Sequence, residues 1–142
     1  MRQDKEHDLQ VACVRWFRLQ YPHKIIFAIP NGGARNVIVA AKMKAEGVLK
    51  GVPDLFIPEP AGTYAGLWIE MKVKPNRPSP EQKDLMHRLT NRLYRCEICY
   101  SFEEFVEIIN SYLNDNKEME TQSGAHAGRR GFLARLHELQ QQ

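Results

Sequence analysis

Residues 51–72 constrain the fold of this chain more than any other stretch. Gly51-Val52-Pro53-Asp54-Leu55-Phe56-Ile57 and Trp68-Ile69-Glu70-Met71-Lys72 both alternate apolar and polar side chains at the strand period. Between them lies Pro58-Glu59-Pro60-Ala61-Gly62-Thr63-Tyr64-Ala65, which no regular element tolerates. The stretch therefore predicts two strands and a turn. Paired antiparallel about a centre near Gly62, the strands set Asp54 opposite Glu70, where facing Cβ atoms lie about 4.5 to 5.5 Å apart. Lys72 shares that face, while Leu55, Ile57, Leu67, Ile69 and Met71 form an apolar row on the other. Two opposed carboxylates repel unless positive charge lies between them, and a divalent cation with oxygen ligands is the natural candidate.

A chain of 142 residues can build one domain around a single core. It has no run of about 18 apolar residues, and Met1-Arg2-Gln3-Asp4-Lys5-Glu6 lacks the apolar region of a signal peptide. A cytoplasmic protein with no membrane contact is expected. The odd cysteine count, Cys13, Cys96 and Cys99, suits a reducing compartment. Cys96 and Cys99 have C-x-x-C spacing, but they fall in a predicted strand, where positions three apart face opposite sides, and no second pair follows. They read as small apolar residues of the sheet. Net charge is only +3, yet from 72 to 95 seven basic residues stand against Glu81 and Asp84. Such a cluster fits either a phosphate-tracking face or a solvated helix surface.

Taken in order, 4–21 predicts an amphipathic helix with Leu9, Ala12, Cys13, Trp16 and Phe17 at helical spacing, and with Glu6 and Gln10 one turn apart near its start. The β-branched run at 24–29 predicts a buried strand closed by Pro30-Asn31-Gly32-Gly33. That turn, with Arg35 beside it, could also let backbone approach a phosphate. A helix follows over 36–46, with an ambiguous start at Val37-Ile38-Val39 and Gly47 at its C-cap. Beyond the hairpin, Lys74-Pro75-Asn76-Arg77-Pro78 is a stiff basic loop. Ser79-Pro80-Glu81-Gln82 then has the form of a capping box, with Lys83 in the first turn of a helix reaching about 93 and Leu85, Leu89 and Leu93 inward. A strand over 94–100 and a helix from Ser101-Phe102-Glu103-Glu104 to about 113 complete the domain, 1–114. The rest, 115–142, reads as a polar linker and a short amphipathic helix of Phe132, Leu133, Leu136 and Leu139. That helix has the domain, a second subunit or nucleic acid as alternative partners.

Pro53-Asp54 followed by Glu70-Met71-Lys72 resembles the motif of the PD-(D/E)xK nuclease superfamily. Within it, Gly51 and Leu55 around Pro53-Asp54, Glu6-x-x-Leu9-Gln10, and Ser79-Pro80-Glu81-Gln82-Lys83 are similar to the virus-type replication-repair nuclease (VRR-NUC) domain. The resemblance covers roughly 6–113. It implies an α/β fold with a restriction-endonuclease-like core, a mixed central sheet flanked by helices in the order αβαββαβα. It further implies that Asp54 and Glu70, the Met71 backbone carbonyl and, as a further acid, Glu6 bind Mg²⁺ or Mn²⁺. Lys72 would orient or deprotonate the attacking water or stabilise charge on the phosphate, and Gln82 would be a polar active-site residue. Asn31, Arg35, Lys74, Arg77 and Lys83 are the candidate DNA contacts. Stand-alone members resemble homodimeric resolvases of four-way junctions, which places the expected activity in DNA repair or a phage-infected bacterial cytoplasm. His7, after Glu6, and the strand near Arg95 depart from the family pattern. Flap-type or restriction-type cutting is the rival within the enzyme class, and a DNA-binding module without catalysis is the rival outside it. The intact set Asp54, Glu70 and Lys72 argues against that last reading.

Overall fold

A computed structural model describes the backbone of residues 2–30 and 36–122 and the side chains of 4–30 and 36–114. The elements run α1 (Arg2–Gln20), β1 (Phe27–Ala28), α2 (Val37–Ala45), β2 (Leu55–Ile57), β3 (Gly66–Met71), α3 (Pro80–Thr90), β4 (Tyr94–Cys99) and α4 (Phe102–Gln122). The strands form one mixed sheet in the order β1-β2-β3-β4. Its first two pairings are antiparallel and the β3–β4 pairing is parallel, with α3 as the crossover. Class and element order agree with the expected restriction-endonuclease-like core. Among the described residues no helix is long and apolar enough to cross a membrane.

The hairpin register follows from the pleat and the turn. Leu55 pairs with Ile69, Phe56 with Trp68 and Ile57 with Leu67, which centres the reversal on Gly62 and sets Asp54 across from Glu70. The apolar row Leu55, Ile57, Leu67, Ile69 and Met71 is wholly buried. It packs against Cys13 and Phe17 of α1 and Phe105, Ile109 and Tyr112 of α4. A slip of one residue would turn that row to solvent, so burial of the row fixes the register. The opposite face is not given over to chemistry alone. Beyond Glu70, Phe56 stacks on Trp68 with ring centroids 4.1 Å apart, and Phe27 and Tyr94 meet Phe56 edge-on. Gly66 makes this possible, since a Cβ there would lie 2.9 Å from the Phe56 ring.

Several expectations are corrected. The run at 24–29 yields only a two-residue edge strand, and Phe27 and Ala28 are both exposed. Only Ile26 of that run is buried, because β1 lies at the edge of the sheet and, among the described residues, no further strand pairs with it. Helix α3 ends at Thr90, and Leu93 turns outward, 64% exposed. It takes a left-handed conformation (φ 68°) that reverses the chain, while its carbonyl accepts from Ala65 N–H at 2.7 Å. Met86, one position after Leu85, is buried instead. Helix α4 runs past Asn114 to Gln122 through a stretch whose composition reads as linker. Lys117, Glu118, Met119 and Glu120 are good helix formers, and polarity alone does not stop a helix. Cys96 and Cys99 both fall in β4, as expected of sheet residues.

Candidate active site

Where the apolar row gives out, at the end of β3, polar side chains take its place. Glu70 lies on the last turn of the pleat, 1% exposed, and Asp54 stands just before β2 on the paired strand. Asp54 Oδ2 accepts the Met71 backbone N–H at 2.8 Å, which ties the carboxylate to β3. Lys72 Nζ and Gln82 Nε2 both donate to one oxygen of Glu70, Oε1, at 2.8 and 2.7 Å. The other oxygen, Oε2, is buried and has no hydrogen-bond partner among the described residues while both carboxyls are ionised; Asp54 is near enough to share a hydrogen bond with Glu70 once one of them takes up a proton.

Two helices deliver the remaining groups by the same geometric rule. Residues spaced by three or four lie on one helix face. On α3 the inward stripe of Leu85, Met86 and Leu89 extends back to Gln82. On α1 the buried Cys13 and Phe17 extend back through Leu9 to Glu6. Each polar residue occupies an inward position beyond the end of the apolar packing, and so reaches the sheet's end. Gln82 also closes the capping box of α3: its Oε1 accepts from Ser79 N–H and its own N–H donates to Ser79 Oγ. Glu6 accepts a bond from the Val73 backbone and feels the charges of Lys72 and Asp54.

Electrostatics make this an unfavourable place for two bare carboxylates. Burial raises the Glu70 pKa to about 7, and the charge of Asp54 adds to the rise against the opposing effect of Lys72. Burial also raises Asp54, with the Met71 N–H, Lys72 and a hydrogen bond with Glu70 working against it, and raises Glu6. For Lys72, burial pulls downward, but the Glu70 hydrogen bond and the charges of Glu70, Glu6 and Asp54 prevail and hold it above the ordinary lysine value. It is a cation at neutral pH.

A cleft of about 930 Å³ opens over this cluster. One wall carries Glu6, Asp54, Glu70, Lys72 and Gln82; the other carries Ala40, Met43 and Lys44 of α2, then Val48 and Lys50 of the following turn. All five side chains expected to be catalytic thus line one cavity. Of the expected DNA contacts, Lys74, Arg77 and Lys83 are exposed and do not line it; Lys74 lies over the Tyr100 ring at 5.8 Å. Asn31 and Arg35 fall outside the described residues. The cleft's own lysines, Lys44 and Lys50, escape a sequence reading; the available signal is the i, i+3, i+4, i+7 stripe Ala40, Met43, Lys44 and Gly47. Asp54 and Glu70 are the side chains that could share a cation. Among the described residues no three acidic, histidine or cysteine groups gather closely enough to hold one by themselves.

A mixed sheet that presents an aspartate, a glutamate and a lysine at one end of its central hairpin, flanked by helices on both faces, defines a nuclease of the restriction-endonuclease-like class. The VRR-NUC domain matches residues 1–103, and the chain belongs to that nuclease family. A solved structure described as a VRR_NUC domain protein is 26% identical and superposes with a TM-score of 0.64, over 77% of this chain and 88% of its own. No functionally curated protein matches the chain.

Proposed function

We propose that the protein is a divalent-metal-dependent DNA endonuclease that acts as a homodimer on branched DNA, with Mg²⁺ or Mn²⁺ as its cofactor. The observation that carries this reading is the buried Oε2 of Glu70, which has no partner among the described residues while both carboxyls are ionised, beside a second buried carboxylate, Asp54. Leaving such an oxygen without a partner costs about 1–3 kcal/mol or more, and a hard divalent ion with oxygen ligands removes that cost. Asp54, Glu70 Oε2 and the Met71 carbonyl would hold the ion, with Glu6 beside them. When bound, the ion supplies Lewis acidity toward the attacking water and the scissile phosphate.

The chain's own groups divide the remaining work. Gln82 and Lys72 occupy Oε1 of Glu70 and so leave Oε2 as its ligand atom. Lys72, charged at neutral pH, serves better as a donor to the phosphate than as a base. Lys44 adds positive charge to the cleft wall, while Lys50 beside it is paired to Glu81 at 3.1 Å. The dimer rests on α2. That helix is apolar on nearly every side, yet buries none of its residues, and Val37 and Ile38 are 85% and 81% exposed. A helix apolar all round normally lies within a core, and a second copy of the chain provides one here. Two sites related by a two-fold axis then suit two symmetric cuts.

The test is cleavage of four-way junction, flap, single-stranded and duplex DNA with Mg²⁺, Mn²⁺ or chelator, by wild type, Asp54→Ala and Lys72→Ala. Metal-dependent cutting of the junction by wild type alone is expected. Equal cutting by all three proteins would show the site to be elsewhere, and preference for flap or duplex would replace the junction reading. Sedimentation of a monomer on junction DNA would remove the dimer.

A further inference from the structure

We propose that Gly51 is a positioning residue of this site, acting through the first turn of α3 and Gln82 on Glu70. The proposal rests on the nuclease reading above. Gly51 has φ +92°, and a Cβ at this position would meet Glu81 O at 2.7 Å, Glu81 C at 2.8 Å and Gln82 N at 3.1 Å. All three are backbone atoms at the start of α3, where Pro80 and the Ser79–Gln82 capping box hold the chain rigid. They cannot swing aside as the tip of a long side chain would.

The contact therefore sets a distance inside the site. Gly51 lies three residues before Asp54, on the segment that carries that carboxylate. Gln82 lies on the opposing surface and uses both ends of its amide, accepting from Ser79 N–H at 2.8 Å and donating to Glu70 Oε1 at 2.7 Å. Bare backbone at 51 lets the two segments close until Gln82 reaches Glu70. Moving Glu81 O from 2.7 Å to an ordinary contact of 3.4 Å requires a displacement of about 0.7 Å. The same displacement would take the 2.7 Å bond to Glu70 beyond the usual N–H···O range of about 2.7–3.2 Å. Glu70 would then lose the donor that, with Lys72, fixes which oxygen faces the cleft.

A double-mutant cycle of wild type, Gly51→Ala, Gln82→Ala and the double variant tests this. It is read as the single-turnover cleavage rate at saturating DNA and as the Mn²⁺ concentration giving half-maximal rate. Losing an outer partner of a metal ligand costs about 10- to 100-fold in such readouts. Each single variant is expected to fall in that range, with DNA affinity unchanged and with the double variant no worse than Gln82→Ala. Wild-type behaviour of Gly51→Ala overturns the proposal, and so do losses that multiply in the double variant, since Gly51 would then serve the fold alone. Should alanine prevent folding, Gly51→Asn enters the same cycle, because asparagine tolerates positive φ and still carries a Cβ; failure of both to fold likewise assigns Gly51 to the fold. A wild type that neither cleaves nor responds to Mn²⁺ sinks the nuclease reading itself, a result separate from any of these.

Discussion

Glu70→Gln should stabilise the metal-free protein while abolishing its response to metal. In the wild type, burial and the neighbouring Asp54 raise the Glu70 pKa from its ordinary 4.5 to about 7. Between those values the folded chain keeps a proton that the unfolded chain releases, so stability falls as pH rises from about 4.5 and the full penalty is present above about 7. At about 1.4 kcal/mol per pH unit, that gap amounts to about 3 kcal/mol. The introduced amide carries no charge, keeps an oxygen for Lys72 and Gln82, and can turn a donor toward Asp54. Thermal melts in chelator at pH 8 should place the variant on the order of 5–10 °C above wild type, with the difference shrinking toward zero near pH 5. Adding Mn²⁺ should reverse the order, because the wild type alone gains binding free energy. A variant melting at or below the wild type at pH 8 in chelator would show that Glu70 is not a strained carboxylate.

Lys72→Met removes the cation that, among the described residues, compensates Glu70 Oε1; cleavage should fall on the order of a hundredfold or more, and metal-free melts should show a loss that is large at pH 8 and recovers toward pH 5 as the carboxyl takes up a proton. Gly66→Ala places a methyl 2.9 Å from the Phe56 ring and 3.2 Å from Ile57 O. A loss of about 1–3 kcal/mol in denaturant unfolding is expected, and an unchanged midpoint would mean that the stack moves freely. Tyr112→Phe deletes a buried donor to the Glu59 carbonyl that ties α4 to the hairpin turn. It should cost about 1 kcal/mol in the same assay, with cleavage unaffected.

The sequence by itself determined the hairpin, its register and the carboxylate pair. Period-two patterning in residues 51–72 allows one burial of Leu55, Ile57, Leu67, Ile69 and Met71, and that burial leaves Asp54 facing Glu70. The cap of α3 was equally legible, since Ser79-Pro80-Glu81-Gln82 is a local signal satisfied within one turn. What local patterning does not carry is the relation between segments distant in the chain. The apolar run at 24–29 has the composition of a buried strand, but its place at the sheet edge leaves it exposed, and strand order is a property of the whole sheet. Likewise Lys44 and Lys50 read as ordinary surface lysines until α2 is set across the cleft from Glu70. Gly51 reads as a turn glycine until α3 is laid against it. Only the tertiary structure decides that a glycine, a capping glutamine and a buried glutamate form one chain of contacts, because each link is a distance across the fold, and sequence spacing encodes distance only within a single helix, strand or hairpin.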